Sequence, residues 1–302
     1  MAVPAVGFAA DQPPVELGTT SSFAVLAGST ITNTGPTTIS GDAGGDVGLY
    51  PGTAFTGQAD VTMSGAVHLA DSVAIAAKDD LVTAYNDAAG RTPVTTIPTE
   101  LGGTTLTPGI YASTDGTFQI TGTLTLDAQG DPNGVFIFKT ASTLITASNS
   151  KVSIINSARY CRIFWQVGSS ATLGTNSNFV GHIFALTSIT ANTGATVQGQ
   201  LLARNGAVTL DTNTITNGIC ETTVVTPPVV TSPVVTPPVV TPPVVTRPVV
   251  TPPVVVTTSV PGQLPETGTS TPLYELFLIG AALILVGALG FRRRQVTIKT
   301  KI

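Results

Sequence analysis

Side chains able to do acid–base or nucleophilic chemistry are few and scattered. The chain holds two histidines, with 17 carboxylates against 13 Lys and Arg over 302 residues. His68 falls on a predicted helix and His182 on a predicted strand, and both suit packing or surface roles. Asp42, Asp46, Asp127 and Asp131 sit in Gly/Pro turns, without the clustered cations and carboxylates that polysaccharide-cleaving β-helices need. No H-E-x-x-H, G-x-S-x-G or C-x-x-C pattern occurs. Gly41, Gly44, Gly45 and Gly48 lack the Gly-Lys-Ser/Thr ending of a phosphate loop. Asp127-Ala-Gln-Gly-Asp131-Pro-Asn-Gly134 lacks the ligand order and closing Glu of a calcium loop and reads as turn chemistry. No catalytic residue, cofactor or metal is expected.

Hydroxyl and amide side chains at short, recurring spacing are abundant instead. Leu144-Ile-Thr-Ala-Ser-Asn149, Leu173-Gly-Thr-Asn-Ser-Asn178, Ile189-Thr-Ala-Asn-Thr193 and Leu210-Asp-Thr-Asn-Thr214 stack under one another as apolar stubs followed by polar ladders. Each follows a β-rich piece: Val135-Phe-Ile-Phe138, Ile163-Phe-Trp165, His182-Ile-Phe184 and Gln200-Leu-Leu202. Recurrence after roughly 15–30 residues is the signature of stacked coils, here an irregular β-helix with a Thr/Asn-rich outer surface. The surface residues so aligned are Thr146, Ser148, Thr175, Ser177, Thr190, Asn192, Thr212 and Thr214. Trp165, the single tryptophan, lies between Phe164 and Val167 and reads as core.

Those coils need positioning elements. In residues 65–89, Val67, Ala70, Val73, Ala77, Leu81, Ala84 and Ala88 recur at spacings of three and four, and Gly90 can end the run. This predicts one long amphipathic helix lying flat on one face of the solenoid. Residues 91–105 form a Pro/Gly-rich connection before coils resume at Pro108. Only 10% of the chain is charged and net charge is −4, which argues against a nucleic-acid partner, since no Lys/Arg cluster lies within the part expected to fold. Cys161 and Cys220 are the only cysteines. In an exported protein they would pair and tie the last coil to a middle one, a stabilisation of roughly 3–5 kcal/mol.

The composition then changes abruptly. Residues 222–263 repeat Pro-Pro-Val-Val-Thr and predict a disordered polyproline stalk, about 3.1 Å per residue and on the order of 100 Å long. Leu264-Pro-Glu-Thr-Gly268 follows, then the apolar run 273–291 and the basic tail 292–302. That run predicts a C-terminal transmembrane helix with the tail in the cytoplasm. Residues 1–10 look like the end of a secretory signal peptide lacking its basic start, which implies Sec export and a true start further upstream.

The motif Leu264, Pro265, Glu266, Thr267, Gly268 with its apolar span and basic tail resembles the sorting signal of Gram-positive surface proteins anchored by sortase. The resemblance implies cleavage between Thr267 and Gly268 and transfer of the Thr267 carboxyl to peptidoglycan. Membrane contact would then be made only through the C-terminal segment, before sorting.

Within residues 15 to 220 stand Leu17-Gly-Thr-Thr-Ser-Ser-Phe-Ala-Val-Leu-Ala-Gly-Ser-Thr30, Asn33-Thr-Gly-Pro36 with Ile39-Ser-Gly-Asp42, and Gly134-Val-Phe-Ile-Phe138. Phe164-Trp-Gln-Val-Gly-Ser-Ser-Ala-Thr-Leu-Gly174 and Leu202-Ala-Arg-Asn-Gly-Ala-Val-Thr-Leu210 follow. On these motifs the domain resembles the microbial ice-binding-like family. The resemblance implies a mainly β fold, a discontinuous right-handed β-solenoid of triangular section with one long α-helix alongside. Active members carry a flat face, often patterned T-A/G-x-T/N. Thr146-Ala-Ser-Asn149 and Thr190-Ala-Asn-Thr193 match that pattern, whereas Thr175-Asn-Ser-Asn178 and Thr212-Asn-Thr214 depart from it.

The expectation is an extracellular, cell-wall-anchored protein that adsorbs to ice. The alternative is an adhesin whose face meets a glycan or another surface, which would call for exposed aromatics with paired carboxylates.

Overall fold

The computed structural model describes residues 12–220. The chain there folds as short strands joined by Gly- and Asn-rich corners. In order these are β1 (Phe23–Ala27), β2 (Thr30–Thr34), β3 (Thr37–Ser40), β4 (Asp46–Leu49), β5 (Ala54–Thr56), β6 (Val61–Met63) and β7 (Val67–Leu69). The helix α1 (Ser72–Gly90) intervenes. Then come β8 (Thr95–Ile97), β9 (Thr105–Leu106), β10 (Gly109–Ser113), β11 (Phe118–Ile120), β12 (Thr123–Asp127), β13 (Phe136–Thr140), β14 (Leu144–Thr146) and β15 (Lys151–Ile155). The last are β16 (Ile163–Val167), β17 (Ala171–Leu173), β18 (Asn178–Ala185), β19 (Ile189–Ala191), β20 (Thr196–Ala203), β21 (Val208–Asp211) and β22 (Thr214–Thr216).

These strands stack, all in parallel, as three ladders round one core. The first face runs β8, β10, β13, β16, β18, β20, β1, β4, β7. The second runs β11, β14, β17, β19, β21, β2, β5. The third runs β9, β12, β15, β18, β20, β22, β3, β6. The strands β18 and β20 serve two faces because each bends at a glycine with positive φ, Gly181 (113°) and Gly199 (145°). A Cβ on Gly199 would fall 2.0 Å from the Gly181 carbonyl oxygen, so the corners can stack only as glycine on glycine.

Stack order differs from chain order. The coil of β1, β2 and β3 rests on the coil of β20, β21 and β22, so the C-terminal strands lie inside the stack. Alternation turns every second residue inward, and the interior is aliphatic with an aromatic column. Within that column Tyr111 stacks on Phe138 at 5.5 Å and Phe138 on Trp165 at 3.9 Å. Trp165 is buried, as its neighbours predicted, and its indole N–H donates to the Val180 carbonyl at 3.1 Å.

The helix closes the first face. Ala74, Ala77, Leu81, Ala84, Tyr85 and Ala88 are buried at helical spacing, over Ile110, Ile137, Phe164, Phe184, Leu202 and Leu26. It starts later than predicted, at Ser72 rather than 65. Asp71 caps it by accepting from the Ala74 N–H at 2.8 Å, and the residues before it form β7. His68 is therefore on a strand and bonds Asp71 at 2.8 Å. Lys78, on the buried side, donates to the carbonyls of Ala203 (2.7 Å) and Arg204. Burial, with a smaller contribution from the Arg204 charge, pushes the Lys78 ammonium down to about 8. At the helix edges Asp80 accepts from the Thr19 N–H and hydroxyl at 2.7 Å, and Arg91 pairs with Asp87 while reaching the Pro13 and Pro14 carbonyls.

The predicted fold class needs one correction. It included a C-terminal transmembrane helix, and no helix among the described residues is long and apolar enough to cross a membrane. Residues 273–291, on which that expectation rested, lie outside the described residues. So do residues 1–10, the stalk at 222–263, the motif at 264–268 and the tail at 292–302.

Candidate functional site

With the first face closed by α1, two faces meet solvent. On the second, one outward residue per coil falls in register: Gln119, Ile145, Thr172, Thr190, Thr209, Thr32 and Thr56. Five consecutive rungs are threonine. At the spacing of neighbouring strands the five hydroxyls and methyls span about 19 Å. Each β-branched side chain has restricted χ1, so the row is stiff as well as regular. Beside it Thr117 and Thr143 bond each other at 3.3 Å, while Ser170 and Ser188 accept N–H donors from Ser188 and Ala207. Their hydroxyls are pinned, and neither row carries a charge. The carboxylate at the margin, Asp211, is occupied by the hydroxyls of Thr193 (2.5 Å) and Thr212 (3.0 Å).

The third face is less uniform. Its corresponding row is Thr123, Lys151, Asn178, Thr196, Thr214, Thr38 and Thr62. It mixes a long cation and an amide with threonine, and Gln198 stands in the row beside it.

The residues picked from sequence divide between corners and faces. Thr190 is on the second face, and Thr214 is exposed on the third. Ser148, Thr175, Asn192 and Thr212 lie in the corners between them, Thr212 with positive φ of 53°. Two expectations are corrected. Thr146 is buried, and its hydroxyl accepts the Gly174 N–H at 2.9 Å; Ser177 is buried as well. The four stretches do not align as their apolar stubs suggested. Leu144 pairs with Ala171, then Ile189 and Val208, while Leu173 pairs with Ala191 and Leu210. Residues two apart both face inward, so an alternating pattern leaves a two-residue slip of register undecided. The slip concealed Thr172, Thr209, Thr32 and Thr56. The signal that finds them is a threonine flanked by inward residues, as in Ala171-Thr-Leu173, Val208-Thr-Leu210 and Ile31-Thr-Asn33.

The remaining reactive groups serve structure. His182 is buried against Phe164 at 5.4 Å, and burial pushes its imidazole down to about 4, with Gln200 opposing the shift. Cys161 and Cys220 form a disulfide with Cα atoms 5.5 Å apart. No cluster of metal-ligating side chains occurs among the described residues.

Three parallel ladders round an apolar core, one closed by a helix and another presenting uncharged threonines in register, define a helix-capped β-solenoid. The profile of the ice-binding-like family matches residues 25–216. An ice-binding protein of Nostoc sp. (strain HG1) is 48% identical over 203 residues, covering 67% of this chain and 73% of that protein. The crystal structure of an ice-binding protein from an Antarctic biological consortium superposes with a TM-score of 0.64 at 47% identity, covering 68% and 91%. That of the Antarctic ascomycete Antarctomyces psychrotrophicus gives 0.63 at 39%, covering 68% and 98%. The chain belongs to the ice-binding-like family.

An LPXTG cell wall anchor motif matches residues 257–296 and takes in Leu264–Gly268. The chain is thus an extracellular, cell-wall-anchored protein bearing an ice-binding-like domain, a binding protein and not an enzyme.

Proposed function

We propose that the domain adsorbs to ice through its second face, holding the cell at the crystal or restraining crystal growth near it. The observation that carries this reading is the run Thr172, Thr190, Thr209, Thr32 and Thr56 in register as one uncharged row of the sheet. A surface whose rotamers are already fixed has little entropy to lose when it meets a crystal. The methyls and hydroxyls of the row offer the first water layer both an apolar and a hydrogen-bonding contact at each step. Charged or long side chains would disturb that layer, which disfavours the third face. A glycan-binding reading gains no support, since Trp165 is core and the second face carries no carboxylate pair.

The same reading gives Thr267 the role of wall attachment point. Sortase would cut after Thr267 and pass its carboxyl to peptidoglycan, releasing Gly268 and all that follows. The Nostoc relative, itself named an ice-binding protein, supports the ice assignment.

The test is ice-affinity partitioning and thermal hysteresis on three proteins: the parent, Thr190→Lys with Thr209→Lys, and Thr214→Lys with Thr38→Lys. The second-face pair should be excluded from ice while its circular dichroism matches the parent, and the third-face pair should partition normally. Exclusion of the folded parent would sink the ice reading. Loss in the third-face pair alone would move the site to that face.

A further inference from the structure

The C-terminal end of the domain leaves the solenoid along one edge. After β22 the chain reaches the corner between the third and first faces. There the Asn217 N–H donates to the Ser40 carbonyl at 2.8 Å, its amide to Ser21 at 2.8 Å, and its carbonyl accepts from Ala43 at 3.3 Å. Residues 218–220 then run down the same edge. The Tyr160 hydroxyl donates to the Ile219 carbonyl at 3.2 Å. Gly218 lies against that ring so closely that a Cβ would sit 2.1 Å from its oxygen. Cys220 is bonded to Cys161, which lies between β15 of the third face and β16 of the first. That corner is three coils from Asn217, about 14 Å along the stack.

In a three-faced solenoid, the edge between the first and third faces is the one opposite the second. Wall attachment therefore draws on the side of the domain away from the threonine row. Tension between the two crosses the whole section. Without the disulfide it would enter at Asn217 and pull on β22, a strand of three residues held between β20 and β3. With the disulfide it enters at Cys161, in the middle of the stack, through a covalent bond.

We propose that the Cys161–Cys220 disulfide is a mechanical bypass that carries tension from the C-terminal tether into the middle coils and spares β22. The direction of pull rests on the ice-face reading; the bypass itself does not.

The test needs no ice, so its failure is distinct from failure of that reading. The full chain is stretched in an optical trap between a C-terminal handle and a click-coupled handle on Thr190→p-azidophenylalanine. With the disulfide intact, the domain should show no extension step before the whole solenoid ruptures. After reduction of the folded protein, or in Cys161→Ser/Cys220→Ser, an earlier step at lower force should release residues 214–220, about 25 Å of chain. Equal first-rupture force and equal step length in both states would overturn the proposal. Reduction of folded wild-type protein gives this comparison even if the double variant folds poorly.

Discussion

Lys78 offers a test of how the helix is held on the first face. The residue is 7% exposed and its ammonium is bonded to the carbonyls of Ala203 and Arg204. Burial puts its pKa at about 8, against an ordinary value of 10.5. The unfolded chain therefore holds a proton on this residue through a pH window in which the folded chain has released it. Stability must rise with pH across that window, from about 8 to 10.5, and below 8 the folded state carries the full cost of the buried charge. A gap of 2.5, taken from those two values, at 1.36 kcal/mol per unit amounts to about 3 kcal/mol. Lys78→Met keeps the apolar stem and removes the titration. Urea unfolding of both proteins between pH 7 and 10.5 should show the midpoint of the parent gaining on the variant by on the order of 1 M. Tyrosine ionisation affects both alike and drops out of the difference. Both cysteines are in the disulfide, so no free thiol exists to start exchange at high pH. Parallel pH profiles for the two proteins would refute the reasoning, because they would mean that the ammonium is as well solvated in the folded state as in the unfolded one.

His182 should act at the acid end. Its folded pKa of about 4 lies below the ordinary value of 6.5, so the unfolded state binds the extra proton and stability falls as pH drops from 6.5 to 4. The loss attributable to this residue is up to about 3 kcal/mol, and His182→Gln should flatten the profile in chemical denaturation over that range. Trp165→Ala should destabilise the domain by about 3–5 kcal/mol through the cavity it opens beneath Phe138, read as a fall in the thermal midpoint with the oxidised disulfide retained.

Much of the architecture was legible in the sequence because it rests on local signals. Spacings of three and four from Ala77 to Ala88 disclosed the helix, and Gly90 its end. Its start was not legible: Val67, Ala70 and Val73 also fit a helical stripe, and only the Asp71 cap and the positive φ of Ala70 (51°) separate β7 from α1. Trp165 between apolar neighbours was recognisable as core. The functional face was harder, since its rows come from residues such as Thr32 and Thr209 that are distant in sequence. Turn-rich stretches such as Thr175-Asn-Ser-Asn178 drew attention to the corners, while the face itself is written as single threonines inside apolar strands. The corners flanking β14 and β17 are equal in length, and Thr146 aligned with Thr175 on paper because a two-residue slip preserves the alternation, whereas in the fold Ile145 pairs with Thr172.

The place of the last coil inside the stack has a consequence for how the chain comes together in time. Val25 pairs with Leu201 and Ile31 with Val208, so the first two coils lack the neighbour they must sit on until nearly the whole domain has been made. Contacts that close loops of this length are slow, and a chain emerging N-terminus first cannot lay its coils down in the order of synthesis. Assembly is free to begin among β10 to β18, where neighbours in space are also neighbours in sequence. The early strands must wait as unpaired edges, exposed to wrong partners. When β20, β21 and β22 receive β1, β2 and β3, two half-stacks become one. A chain that stops short of β20 keeps them apart.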